Sequence, residues 1–214
     1  MGSAVAAAVK RRAIRALHRT PAGEALLLNV YLWAEEGAEA TVLVDALAGG
    51  LPDWLVSQVE RHASDEARHA ALLRARLADL GAIVRAPRVD PISRWKLRRL
   101  RLLAERARPR FRAGIAVPLF AIAERMEAMG VRVLDRHVGV LADGDPTRAL
   151  LARIVTDERH HVRACARALA ALVGPDERPA LAALRRRIAA VERSFDLVGA
   201  LGLLAAGVAL QVLR

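Results

Sequence analysis

Apolar positions recur every three or four residues over long stretches of the chain, the 3.6-residue period of an amphipathic helix. After Pro52 the stripe runs Leu55, Val59, His62, Glu66, His69, Leu73, Leu77 and Leu80 and stops at Gly81. After Asp145-Pro146 it runs Leu151, Ile154, Glu158, His161, Cys165, Ala168 and Leu172 and stops at Gly174-Pro175. Thr20-Pro21 opens a helix predicted to end at Gly49-Gly50, and another is expected from about Ile115 to Leu141, with Pro118 near its start. Short turns join the first helix to the second and the third to the fourth, so each pair reads as an antiparallel hairpin. The stretch from Ala82 to Gly114, with a helix opened by Asp90-Pro91, is long enough to cross between the pairs. Two more helices, about Arg178 to Arg193 and Phe195 to Leu213, are expected outside the bundle. The pattern predicts one all-α domain over residues 1–214, with an antiparallel four-helix bundle at about 20–174 and accessory C-terminal helices at 178–213.

Composition supports helices and narrows the chemistry. The 214 residues are 54% hydrophobic but only 3% aromatic, and the apolar residues are mostly Ala, Leu and Val. The net charge of +11 is nearly all arginine, since Lys10 and Lys96 are the only lysines, and it reads first as a solubility and compositional feature. With Cys165 as the sole cysteine, no intrachain disulfide can form and a thiolate zinc site is excluded. Basic residues Lys10, Arg11 and Arg12 follow the short apolar N-terminal run, the reverse of a secretory signal, so a cytoplasmic location is expected. The uncharged run Leu197 to Leu210 is shorter than the ~20 residues a membrane span needs, so it reads as a core or interface helix, with shallow attachment to the inner membrane face as the alternative.

Two of the helical stripes carry the same interruption. Asp65-Glu66-Ala67-Arg68-His69 and Asp157-Glu158-Arg159-His160-His161 each place Glu-x-x-His one turn apart, on the face that otherwise faces the core. Buried carboxylates without partners cost several kcal/mol or more, and two divalent metals would neutralise four of them while leaving the imidazoles neutral as ligands. Each remaining helix offers one more glutamate. Projected with Ala25, Leu32, Leu43 and Leu47, the first helix favours Glu36 over Glu35 and Glu39; projected with Val117, Phe120, Val131 and Val138, the third favours Glu124 over Glu127. Glu39 and Glu127 remain candidate additional ligands. Asp65 and Asp157 can each accept the second N–H of a metal-bound histidine from the opposite hairpin, and Arg68 can hold such an Asp. His62, one turn before Glu66, reads either as support for the site or as a core histidine, and Cys165 as a small buried hydrophobe.

The set Glu36, Glu66-x-x-His69, Glu124 and Glu158-x-x-His161 resembles the ligand pattern of the ferritin-like di-iron carboxylate superfamily. Asp65-Glu66-Ala67-Arg68-His69 is similar to the motif of bacterial multicomponent monooxygenases, and the layout resembles the stand-alone demethoxyubiquinone and tRNA hydroxylases. The resemblance implies a ferritin-like bundle, two iron ions or a manganese–iron pair, and an O2-activating oxidoreductase acting as a monooxygenase on a small molecule or tRNA. Electrons would come from a separate reductase, because no flavin or nicotinamide motif is visible. Two other readings stand beside it: a ferroxidase, peroxidase or iron-handling protein, and a metal-free structural or nucleic-acid-binding bundle using its arginines. A homo-oligomer is compatible with each.

Overall fold

A computed structural model describes residues 2–37, 43, 50–84 and 91–193. Every regular element among them is helical: α1 (Gly2–His18), α2 (Pro21–Gly37), α3 (Asp53–Asp79), α4 (Pro91–Ala107), α5 (Ala116–Val138), α6 (Pro146–Leu172) and α7 (178–193). Short 3₁₀ turns at Arg108–Arg110 and Pro175–Glu177 complete the set. Glu39, Gly49 and the expected helix at 195–213 lie outside the described residues.

Local chemistry explains the boundaries. At the start of α6 the Asp145 carboxylate accepts a 2.8 Å hydrogen bond from the Thr147 N–H, with Pro146 in the first helical position. Helix α2 opens in the same way, with the Thr20 hydroxyl accepting from the Gly23 N–H at 2.9 Å. Gly23 is there for room: a Cβ on it would lie 2.1 Å from the Leu17 carbonyl oxygen of α1. α3 ends at Gly81, whose φ of +63° turns the chain away from the helix. The chain's first residues, for which no helix was expected, form α1, and α1 packs against α2 and α5.

Four helices meet around the chemistry. α2 packs on α3, α5 packs along α6, and α3 lies against α6. α4 presents Leu100, Ala104 and Ala107 to the core and Arg94, Arg98, Arg99 and Arg101 to solvent, with the Arg99 guanidinium 4.7 Å from the Trp95 ring centre. α7 adds Leu181, Leu184 and Ile188 to the core. The buried apolar residues fall into two clusters. One gathers Leu55 and Val59 of α3 with the first half of α5, and the other gathers Leu73 and Leu77 with Leu134, Leu151 and Ile154. In sequence, the charged positions 66–69, 127 and 158–161 fall between the halves that supply those clusters. Among the described residues no helix is long and apolar enough to cross a membrane.

Candidate metal centre

The 3.6-residue period brings Glu66 and His69 onto the buried face of α3 and Glu158 and His161 onto the buried face of α6. Each Glu is at most 3% exposed and each His at most 4%. Around them two groups of donor atoms converge, each within 4.8 Å: Glu35, Glu66, His69 and Glu158 in one, and His62, Glu66, Glu127 and His161 in the other. Glu66 belongs to both.

The single glutamates from α2 and α5 are not those favoured by the helical projections. Glu36 pairs with Arg74, Glu124 receives two hydrogen bonds from Arg185 of α7 at 2.8 and 2.9 Å, and neither joins a group. The buried positions within α2 are Gly23, Glu24, Leu27, Leu28, Tyr31, Leu32 and Glu35, a face that includes Glu35 and leaves Glu36 to one side. Ala25, Leu43 and Leu47 had set a different phase. On α5, residues 116–123 are buried on every side, so Val117 and Phe120 carry no phase information; Val131 and Val138 are only half-buried. The informative positions are Met126, Glu127, Leu134 and His137.

A signal for the pair that joins the cluster was present in the chain. Glu35 lies 31 residues before Glu66, and Glu127 lies 31 before Glu158, so the hairpins repeat one interval. Glu36 and Glu124 would give intervals of 30 and 34. His62 breaks the repeat, because the residue four before Glu158 is the core residue Ile154. The His62 ring stacks on His161 with centres 3.8 Å apart, and its Nε2 stands 3.2 Å from Glu66 and 3.1 Å from Glu127.

The imidazoles are held from behind by the opposite hairpin. His69 presents Nδ1 to Glu35 (3.1 Å) and Glu158 (3.2 Å), while its Nε2 donates to Asp157 at 3.2 Å. His161 presents Nδ1 to Glu66 (3.2 Å) and Glu158 (3.4 Å), and its Nε2 donates to Asp65 at 3.2 Å. Arg68 spans both aspartates, at 2.6 Å from Asp65 and 3.0 Å from Asp157. A carboxylate behind Nε2–H fixes the tautomer and leaves the Nδ1 lone pair aimed at the cluster. His160 is exposed and takes no part.

Burial and mutual proximity set the protonation of the group. Burial drives the Glu35 carboxyl well above the usual range, with Glu66 and Glu158 adding to it, and burial together with Glu158 pushes Glu127 up to about 7. Burial also works against ionised Glu66, but His161 and His62 outweigh it and hold that carboxyl at about 2. Glu158 is likewise held low, by Glu127, His161 and His69 against burial. Burial disfavours imidazolium, yet the facing carboxylates lift His62 to about 9, His69 to about 10 and His161 higher still.

Two kinds of counter-charge therefore suit four carboxylates and three imidazoles: protons on the imidazoles and Glu35, or dications. The geometry is compatible with the second. Both oxygens of Glu66 and of Glu158, one oxygen of Glu127, His62 Nε2 and His161 Nδ1 are buried and make no hydrogen bond among the described residues. Several of these atoms are nevertheless only 3.2 to 3.4 Å apart. Lone pairs that crowd together without pairing converge on a common point, as they do around a metal. The oxygen and imidazole donor set suits iron, manganese or zinc.

A second buried polar network, not read from the sequence, lies at the other end of these helices. Tyr31 Oη is 3.1 Å from His137 Nδ1, His18 Nε2 is 3.0 Å from Asp145, and Glu24 takes hydrogen bonds from Thr147 and from Arg76, the latter at 2.9 Å. It ties α1 and α2 to α3, α5 and α6. Its histidine behaves oppositely to those of the cluster, because burial, helped by His18, pushes His137 down to about 4.

The chain is thus an all-helical protein with a buried glutamate–histidine cluster that can hold metal ions. No protein-family model, curated protein or solved structure matches it.

Proposed function

We propose that the helices form a ferritin-like bundle and that the cluster holds two transition-metal dications, iron or a manganese–iron pair, as the centre of an O2-dependent monooxygenase. The observation that carries the reading is the pair of four-residue donor groups sharing Glu66 in a buried site. Two dications would balance the four carboxylates Glu35, Glu66, Glu127 and Glu158 and leave the imidazoles neutral. When bound, such a pair supplies the electron transfer to O2 that ground-state organic substrates cannot perform unaided.

The chain's own residues do the remaining work. Glu35, Glu66, His69 and Glu158 would hold one ion, and His62, Glu66, Glu127 and His161 the other. Asp157 and Asp65 keep the Nε2 protons in place, and Arg68 fixes both aspartates. Hydroxylation consumes one substrate, one O2, two electrons and two protons and yields an alcohol and water. The electrons require a separate reductase. An apolar cavity that reaches Glu35 and Glu158 supports an organic substrate over iron or peroxide as the molecule oxidised.

The test is anaerobic loading with Fe(II), with Mn(II) and with both, followed by metal analysis and measurement of O2 consumption with a chemical reductant. About two metals per chain, and O2 uptake that depends on them, are expected. Folded protein that takes up neither metal would overturn the reading.

A further inference from the structure

A cavity of about 230 Å³ opens beside the cluster, between α2, α4 and α5, with Glu35 and Glu158 in its wall. The rest of the wall is mainly apolar. Met126 and Met129, the only methionines after Met1, both line it, and so does Gly130. A Cβ at Gly130 would meet nothing within 4 Å, so no close packing demands a glycine in the middle of α5. What its missing side chain leaves is volume in the cavity, beside two unbranched thioethers that can adapt to a ligand's shape.

One polar group in this wall has no role in the cluster. Trp33 lines the cavity, and its indole N–H is buried with no acceptor among the described residues, whereas Trp54 and Trp95 are half-exposed. A buried donor without a partner is costly, and an acceptor brought in by a ligand removes that cost. The charged groups of the wall offer a ligand nothing comparable. Glu35 and Glu158 repel an anion and are already turned to His69, at 3.1 and 3.2 Å, while Lys96 lies 3.7 Å from the Met129 sulfur. An ion would lose its hydration on entering without gaining a counter-charge of its own. Around α2, at about 100° per residue, Trp33 and Glu35 lie on opposite sides of Ala34, which also lines the cavity. An acceptor held at Trp33 therefore leaves the body of the ligand towards the cluster.

From these features we infer that the cavity binds a neutral, mainly apolar molecule with one hydrogen-bond acceptor, the acceptor taking the Trp33 N–H and the hydrocarbon part lying against Met126, Met129 and Gly130. An apolar cavity of ~150 Å³ accommodates benzene, so this one suits a substituted ring or chain of about ten non-hydrogen atoms. That the ligand is the molecule oxidised rests on the metal-centre reading; that it binds does not.

Acetophenone, cumene, benzoate and 1-phenylethylammonium are alike in shape and differ in the group on the ring. They serve as probes, with binding to the full-length protein followed by calorimetry before and after metal chelation. Acetophenone and cumene are expected to bind once per chain, and each ion more weakly than acetophenone by about tenfold or more. Trp33→Phe removes the N–H and keeps an aromatic ring; it should weaken acetophenone about fivefold, the loss of one neutral hydrogen bond, and leave cumene no weaker. Gly130→Leu should weaken both neutral probes by roughly tenfold or more, and Gly130→Ala less, with helix content as in the parent. Acetophenone that fails to bind, loses no more affinity than cumene in Trp33→Phe, or is indifferent to Gly130→Leu overturns the inference, as does an ion that binds as tightly. Protein that takes up no metal yet binds acetophenone in this pattern upholds the cavity and counts against the metal centre alone, which keeps the two failures apart.

Discussion

Glu35 and Glu36 are neighbours in sequence but stand about 100° apart around α2, and that angle separates a cluster residue from a partner of Arg74. The same holds one turn apart on α5, where Glu127 enters the cluster and Glu124 meets Arg185. Under the proposed metal site, Glu35→Ala and Glu127→Ala should each lose at least one metal per chain, whereas Glu36→Ala and Glu124→Ala should keep both. Metal analysis of the four proteins checks this, and retention of both metals in the first two would remove them from the ligand set. The Glu-x-x-His pairs, with an aspartate before each glutamate, were legible because both interrupt a clear apolar stripe with a fixed spacing. The single glutamates were not, because half-apolar helices such as α5 are buried all round at one end and lose their phase. The repeated interval of 31 residues carried the information that the projections lacked. Recognition of His62 as part of the cluster needed the stacking on His161, which no local pattern encodes.

Two helix-interior glycines show how an element's surroundings decide the sign of one substitution. Replacing Gly by Ala inside a helix contributes about 0.5–1 kcal/mol of stability where the new methyl has room. Gly130 on α5 has that room, so Gly130→Ala should stabilise by about this amount. Gly23 on α2 sits against the Leu17 backbone, which cannot swing aside like a flexible side chain, so Gly23→Ala should destabilise by roughly 1–3 kcal/mol despite the same propensity gain. Urea unfolding of both variants tests the contrast; equal signs would mean that α1 is not held against α2 as described. At this scale the helices after Pro52 and Pro146 were readable from caps and periodicity. α1 has its buried stripe, Ala13, Ile14 and Leu17, only in its last turns after a mostly alanine start, and contact with α2 and α5 gives it a defined place.

At the scale of the whole molecule, the buried His137 links stability to pH. Its pKa is about 4 in the folded chain against an ordinary 6.5, so between those values the unfolded chain binds a proton that the native one does not. This contribution is complete above pH 6.5 and is lost as pH falls towards 4, at up to about 1.4 kcal/mol per pH unit. His137→Gln should flatten the acid limb of stability relative to the parent between those limits, and parallel limbs in urea titrations would contradict the assignment. The hairpins repeat the spacing of Glu35, Glu66 and His69 in Glu127, Glu158 and His161, and among the donors His62, opposite Ile154, breaks that repeat. Two seats that share Glu66, one completed by two carboxylates and an imidazole and the other by one carboxylate and two imidazoles, are unequal, and unequal seats fill in order. If the cluster holds two ions, stepwise addition of Co(II) under argon should give two separate inflections, the seat beside His62 being taken first. His62→Ile would leave that seat with Glu66, Glu127 and His161 alone and reverse the order of filling, so this chain's departure from its own symmetry becomes a means of telling one ion from the other.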